Sequence, residues 1–407
     1  MIGAVAHVLL ILPTSTYRAA DFLEAAEALG LELSVASEEA VPLVDPDRFV
    51  EIDCAHPEES AERVAAFAVS RPIDAIVPVD DRGVLIAALA AQRLGLPHNP
   101  PDAAAATRNK AMLRRALARG EVPQPRFGLA GVDGTVGVAD QVGYPVVIKP
   151  LSLSASQGVI RADDAAEAAA AEERIRRILA TAGVDPNQPL LVERFQPGPE
   201  IAVEGILYGG ELDVLAVFDK PEPLDGPAFE ETILITPSRL HPEVLDEALV
   251  VARRAVRTLG LMEGPVHIEL RVTDAKPWIV EVAARSIGGL CGRALRFGLM
   301  GTTLEVLLLR HAVGRPKPEL RRETRAAGAM MLPVPRAGVF RRLGGRERAL
   351  ATSGVTDLQV TVTPGTRIAP PPEGDRYLGF LFARADDPAT VERSLREAAS
   401  HLVVEID

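Results

Sequence analysis

From Val5 to about Pro101, short apolar runs alternate with segments that place an apolar residue every three or four positions. "VAHVLLIL" reads as a buried strand, "YRAADFLEAAEALG" as a helix stopped by Gly30, and "LELSVAS" as a second strand. "ERVAAFAVSR", "DAIVPVD" and "GVLIAALAAQRLG" continue the alternation, which predicts a doubly wound parallel α/β domain over residues 1–101. The opening "MIGAVAHVLLILP" has no basic flank and no small-residue cleavage site, so it is expected to start that sheet and not to act as a signal peptide. The first turn, "LPTSTYRA", lacks the glycines of a dinucleotide loop.

After "NPP" at 99–101 the pattern changes. "DAAAATRNKAMLRRALARG" predicts one helix, capped by Asp102 and ended by Gly120. "GYPVVIKPLSLSASQGVIRA" is a strand that closes on Lys149, a loop of serines, and a second strand. "DDAAEAAAAEERIRRILATAG" is a helix. Paired strands follow in "PLLVERF" and "EIAVEGILYGGELDVLAVFDK", then the helix "PEVLDEALVVARRAVRTLG" and the hairpin "GPVHIELRVTDAKPWIVEVAAR". Beyond the helix "TTLEVLLLRHAVG" and the link "RPKPELRRETR", residues 325–407 predict a C-terminal α+β domain.

Charge and composition narrow the function classes. The net charge of −12 over 407 residues argues against a nucleic-acid partner. No apolar run reaches the length of a membrane span, so no membrane partner is expected. Two distant cysteines, Cys54 and Cys291, imply no disulfide framework and fit a cytoplasmic location. Of 44 basic residues only Lys110, Lys149, Lys220, Lys276 and Lys317 are lysine, so each marks a place where a compact ammonium suits the job better than a guanidinium.

The hairpin around "TDAKP" carries the strongest chemical signal. A turn centred on Ala275 sets Glu269 opposite Glu281, His267 opposite Ala283 and Arg271 opposite Ile279. Two facing carboxylates repel unless a cation lies between them, and an all-oxygen set suits Mg²⁺, which adds substrate phosphates. Arg285 continues the same face. The serine loop could turn N–H groups and hydroxyls towards phosphate oxygens, although "LSLSASQGV" is not a P-loop.

With these motifs in this order, residues 102–314 resemble the ATP-grasp domain of carboxylate–amine ligases, with a mobile lid at about 124–188. The unit before them resembles the domain that precedes the ATP-grasp fold in that superfamily. The wording "EVAARSIGG" and the tail "GAMMLPVPRAGVFRRLGG" look most like the dipeptide-forming L-amino-acid ligase branch. The resemblance implies that Lys110, Lys149, Ser154, Ser156 and Gly158 hold the phosphates of ATP. It implies that Glu193, Phe195 and Gln196 form the adenine hinge, that Glu200 takes the ribose, and that Lys220 reaches the γ-phosphate. Glu269 and Glu281 fall at the positions of the Mg²⁺ ligands (Mn²⁺ would substitute), and Arg285 at that of the catalytic arginine, with Lys220 beside it. Ala283 departs from the family pattern, which has Asn there.

The implied reaction joins a small-molecule carboxylate, an amino acid or similar acid, to an amine through an acyl phosphate, releasing ADP and phosphate. Ser286, Gly288, Gly289, Arg293 and Glu231 are the candidate substrate contacts. A purine-pathway ligase and a catalytically silent nucleotide-binding regulator are the alternatives. An on-chain biotin carrier is disfavoured, because no lysine sits in a Met-Lys-Met context. Related enzymes are often homodimers, which is the oligomer compatible with the resemblance.

Overall fold

The computed structural model describes residues 5–14, 16–41, 44–319 and 321–407, so Met1–Ala4 of the opening apolar run lie outside the described residues. Strands β1 (His7–Ile11), β2 (Glu32–Ser37), β3 (Phe49–Glu51) and β4 (Ala75–Pro78) form a parallel sheet in the order β3-β2-β1-β4. Helices α1 (Ala19–Leu29), α2 (Pro57–Ser70) and α3 (Val84–Leu94) cover it. β1 is apolar throughout because both of its faces are covered. Val8 and Leu10 join a cluster with Phe22 and Ala26 of α1, while Leu9 and Ile11 join Val64 of α2 and Ile86 of α3. The doubly wound α/β unit is as expected.

The single helix expected over 102–120 is instead two. α4 (Pro101–Arg108) and α5 (Lys110–Arg119) meet at Asn109, which leaves helical geometry. Its side-chain oxygen accepts the N–H groups of Ala111 and Met112 at 3.0 and 3.1 Å. An asparagine cap of this kind restarts the chain as a new helix, so Lys110 opens α5. Pro100, and not Asp102, holds the N-cap position of α4.

The stretch expected to form the lid, with β8 just beyond it, is a four-stranded antiparallel sheet, β5 (Phe127–Ala130), β6 (Val146–Lys149), β7 (Ile160–Ala162) and β8 (Leu190–Arg194), in the order β5-β8-β6-β7. It packs on α6 (Thr135–Val142) and α7 (Ala165–Thr181). β9 (Glu200–Tyr208), β10 (Glu211–Lys220), β11 (Ile233–Thr236), β12 (Gly264–Thr273) and β13 (Lys276–Ala283) belong to a larger sheet. One face packs on α8 (Pro242–Leu259), and the other packs near α9 (Leu304–Ala312).

That sheet does not stop at the predicted C-terminal unit. β14 (Ala326–Leu332), β16 (Val355–Val360) and β18 (Gly379–Ala385) extend it to eight strands in the order β13-β12-β9-β10-β11-β14-β18-β16. β15 (Gly338–Gly344), β17 (Arg367–Ile368) and β19 (Val403–Ile406) form a small antiparallel sheet. α10 (Arg346–Ala351) and α11 (Pro388–Ser400) complete the α+β tail.

Candidate active site

The β12–β13 hairpin is built by two compensating irregularities. Its turn is a two-residue one: Thr273 pairs with Lys276, and Asp274 and Ala275 take φ of 49° and 61°. Two successive left-handed residues make the turn whose twist suits a hairpin. Arg271 therefore faces Trp278 and not Ile279, contrary to the plain register. A bulge next to Glu269 leaves Val280 without a partner and restores the expected pairs, Glu269 with Glu281 and His267 with Ala283. The extra residue also turns Ile279 and Val282 onto the same buried face.

Around Glu269 the structure gathers acids from three strands. On β9, Ile201, Val203 and Leu207 point into the core under α8, so Glu200 and Glu204 point the other way. The Lys220 ammonium at the end of β10 lies 2.7 Å from Glu200, 2.7 Å from Glu231 and 2.9 Å from Glu269. The second oxygen of Glu200 accepts from Arg271 at 2.9 Å, so the expected ribose contact is engaged by two cations. His267 bridges Glu204 at 3.0 Å and Glu269 at 3.3 Å. Burial opposes the charged imidazole, but those carboxylates outweigh it and push its pKa up to about 9. Burial likewise opposes the Glu269 carboxylate, yet Lys220 and His267 hold it well below the ordinary range. Glu231, half-buried and facing Glu269, is pushed up to about 7 by desolvation and by that carboxylate, in spite of Lys220. Glu281 stands opposite Glu269 on the adjoining strand.

The other wall is basic. Lys149 ends β6 and pairs with Glu193 at 2.7 Å, and the other oxygen of Glu193 takes Arg114 at 2.5 Å. Burial would raise Glu193, but Arg114 and Lys149 bring it down to about 2. Lys110 donates to the carbonyl of Leu153 at 2.7 Å, and its backbone N–H donates to Leu151, so the start of α5 is fixed to the serine loop. Burial lowers the Lys110 pKa and Glu281 opposes that shift, while Lys149 adds to it. In the loop Ala155, Ser156 and Gly158 have φ of 54°, 56° and 71°, a run that only local constraint sustains in non-glycine residues.

The lid loop is also tied to the C-terminal unit. The Gly158 N–H donates to Pro372, the Gln157 amide to Glu373, and Arg174 of α7 makes a two-pronged pair with Glu373 at 2.6 and 2.8 Å. Where the adenine hinge is expected, the guanidiniums of Arg161 and Arg271 each lie over the Phe195 ring, 4.4 and 5.1 Å from its centre. Its N–H is taken up by Pro145, and the Gln196 carbonyl accepts from Arg271.

The predicted substrate contacts fall into two groups. Ser286 and Gly288 lie beside Arg285, and an added Cβ at Gly288 would meet open space. At Gly289 (φ +57°) an added Cβ would lie 2.5 Å from the Phe380 ring, so close approach of that ring requires glycine. Arg293, in contrast, is not brought to the carboxylates. It is clamped to Asp21 of α1 at 2.7 Å, with Asp357 at 3.6 Å.

Sequence reasoning did not find Asp81, Arg114, Glu204 or Arg271. Only Glu204 left a local signal, as a second acid four residues from Glu200 on one face of an otherwise apolar strand.

Residues 23–98 match the ATP-grasp N-terminal domain, 142–294 the ATP-grasp domain, and 330–407 the L-amino acid ligase C-terminal domain 2. The chain belongs to the ATP-grasp superfamily. Across its length it is similar to the crystal structure of an L-amino acid ligase from Bacillus licheniformis, with a TM-score of 0.82, 26% identity and 99% of both chains covered. It is 30% identical over 317 residues to the uncharacterized protein y4rH of Sinorhizobium fredii, covering 76% of this chain and 64% of that one. It is 27% identical over 249 residues to the alanine–anticapsin ligase of Bacillus subtilis, covering 57% and 52%. The chain thus spans between half and two thirds of the length of these two relatives. Among the described residues, no helix is long and apolar enough to cross a membrane.

Proposed function

We propose that the protein is an ATP-dependent carboxylate–amine ligase, which activates an amino acid or similar small acid as an acyl phosphate and joins it to an amine. The observation that carries this reading is the cleft's two-sided charge, with lysines on the lid wall and paired glutamates on the sheet wall, closed by Arg285. Lys110, Lys149 and the 154–158 loop bind the ATP phosphates. Glu193 holds Lys149 in place, since both of its oxygens are engaged. Phe195 and Gln196 form the adenine hinge and Glu200 borders it.

The donor set also fits a hard cation. Carboxylate oxygens of Glu200, Glu231 and Glu269 come within 4.8 Å of one another, all of them ligands of the type Mg²⁺ takes. Glu269, the member of that cluster that pairs with Glu281 across the hairpin, would hold Mg²⁺ together with Glu281, and the ion would neutralise charge on the phosphates. Lys220 and Arg285 stabilise negative charge growing on the transferred phosphoryl group. Gly288, Ser286 and Glu231 line the place of the acid and amine. The lid keeps water from the acyl phosphate.

The regulator reading draws on Ala283, which is buried opposite His267 with no ligand atom. Two measurements separate the readings. ADP release from Mg-ATP that requires an amino acid, with a product one water lighter than its two parts, establishes the ligase. Mg-ATP binding with no turnover on any acid and amine favours the regulator. Ala283→Asn should fold and bind Mg²⁺ more tightly in a thermal-shift titration, and an unchanged Mg²⁺ midpoint would count against a missing ligand position.

A further inference from the structure

Asp81 is buried in the turn that leads from β4 into α3. A carboxylate at such a place often caps the helix, but no side-chain cap is made at the turn or at α3. Its oxygens meet two arginines instead. One accepts from Arg285 at 2.9 Å, and the other lies 3.7 Å from Arg108. The other hydrogen bond of the Arg285 guanidinium goes to the carbonyl of its own neighbour, Ser286, at 3.0 Å. Among the described residues, Asp81 is therefore the one group outside the 285–287 turn that accepts a hydrogen bond from that guanidinium.

The support behind Asp81 is rigid. An added Cβ at Gly83 would come 2.8 Å from Ile11, so the turn is pressed onto β1. The same unit grips the next two residues. Buried Arg18 donates to the Ser286 hydroxyl at 2.8 Å and to the Ile287 carbonyl at 3.2 Å, and is held by Glu305 at 3.1 Å. Burial works against the Asp81 carboxylate, but Arg285 and Arg108 outweigh it and keep it ionised.

We infer that Asp81 is a positioning residue for Arg285, and that through it the N-terminal unit sets the geometry of phosphoryl transfer. This rests on the assignment of Arg285 to the reacting phosphoryl group. A guanidinium donates along fixed directions, so anchoring one edge aims the others. Small misplacements of such a group cost on the order of 10–100-fold in rate.

The test is a double-mutant cycle of the parent, Asp81→Asn, Arg285→Lys and the double variant, read as kcat, KM for ATP and melting temperature. Asp81→Asn should lose about 10–100-fold in kcat with KM for ATP changed less than about threefold. Asp81→Glu should recover part of the loss, and Asp81→Asn should add little in the Arg285→Lys background. A kcat within about twofold of the parent, a loss wholly in KM, or the same factor lost in both backgrounds would overturn the inference. If Asp81→Asn melts early, Asp81→Glu carries the same comparison, because it keeps the charge. A parent with no amino-acid-dependent ADP release would sink the ligase reading by itself. The cycle is then run on the affinity for Mg–adenylyl imidodiphosphate, where coupling between 81 and 285 still supports positioning and additivity still overturns it.

Discussion

The two walls of the cleft use the same kinds of residue in opposite proportion. On the wall made by α5 and the lid sheet three cations, Lys110, Lys149 and Arg114, stand with one carboxylate, Glu193. On the sheet wall five carboxylates, Glu200, Glu204, Glu231, Glu269 and Glu281, stand with three cations, Lys220, Arg271 and the His267 imidazolium. Each wall alone carries charge its neighbours do not cancel, and a metal–polyphosphate ligand would complete both. The contrast shows why two buried lysines of similar exposure have different jobs. Lys149 is a surplus cation with one partner, whereas Lys220 is the principal counter-charge of a crowded acidic site.

Removing each lysine separates those jobs. Lys220→Met should destabilise the fold by about 3–5 kcal/mol, since it leaves buried carboxylates without their partner. Added Mg²⁺ should return part of that loss in a denaturant melt. Lys149→Met should cost less, about 1–3 kcal/mol, because Glu193 keeps Arg114, and Mg²⁺ should restore none of it. Equal losses, or equal rescue, would break the contrast.

Acid tests the balanced side. The Glu193 carboxyl is brought from 4.5 to about 2 on folding. Its contribution is fully present above pH 4.5 and is lost as pH falls towards 2, by roughly 3 kcal/mol. Glu193→Gln should be less stable at pH 7 and should show a flatter stability profile between those limits. A profile parallel to the parent's would mean that the ion pair carries no such weight.

The smallest effect is expected at the tie between lid and tail. Arg174 and Glu373 are each nearly half exposed, so Arg174→Ala should cost at most about 1 kcal/mol. Hydrogen exchange in residues 154–158 should nevertheless rise. Exchange unchanged there would show that the backbone bonds from Pro372 hold the loop without the ion pair.

What could be read from sequence was local. The strand–helix alternation of the first hundred residues follows from two covered faces of β1, and the glutamate pair from the parity of a hairpin. Even that pair was reached through two deviations that offset each other. "DA" carries no glycine to announce a tight turn, and nothing in "PWIVEV" announces a bulge. The break at Asn109 was in principle legible, since asparagine is a strong cap, but its alanine-rich surroundings favour an unbroken helix. The partners of the charged residues were not legible at all. Asp81 meets Arg285 and Asp21 meets Arg293 across more than two hundred positions, and only the folded chain brings them together.

The seam in the large sheet has a consequence for the newborn chain. β11 touches β10 at a single pair, Asp219 with Ile235, but is paired with β14 along its whole length, from Ile233 with Met330 to Thr236 with Ala327. During synthesis β11 leaves the ribosome about ninety residues before β14 begins, an interval on the order of ten seconds at ordinary elongation rates. Until then its apolar edge has no neighbour on that side, the kind of edge that invites pairing with other chains. Translation speed and chaperone supply over that interval should therefore govern how much of this protein reaches its folded state.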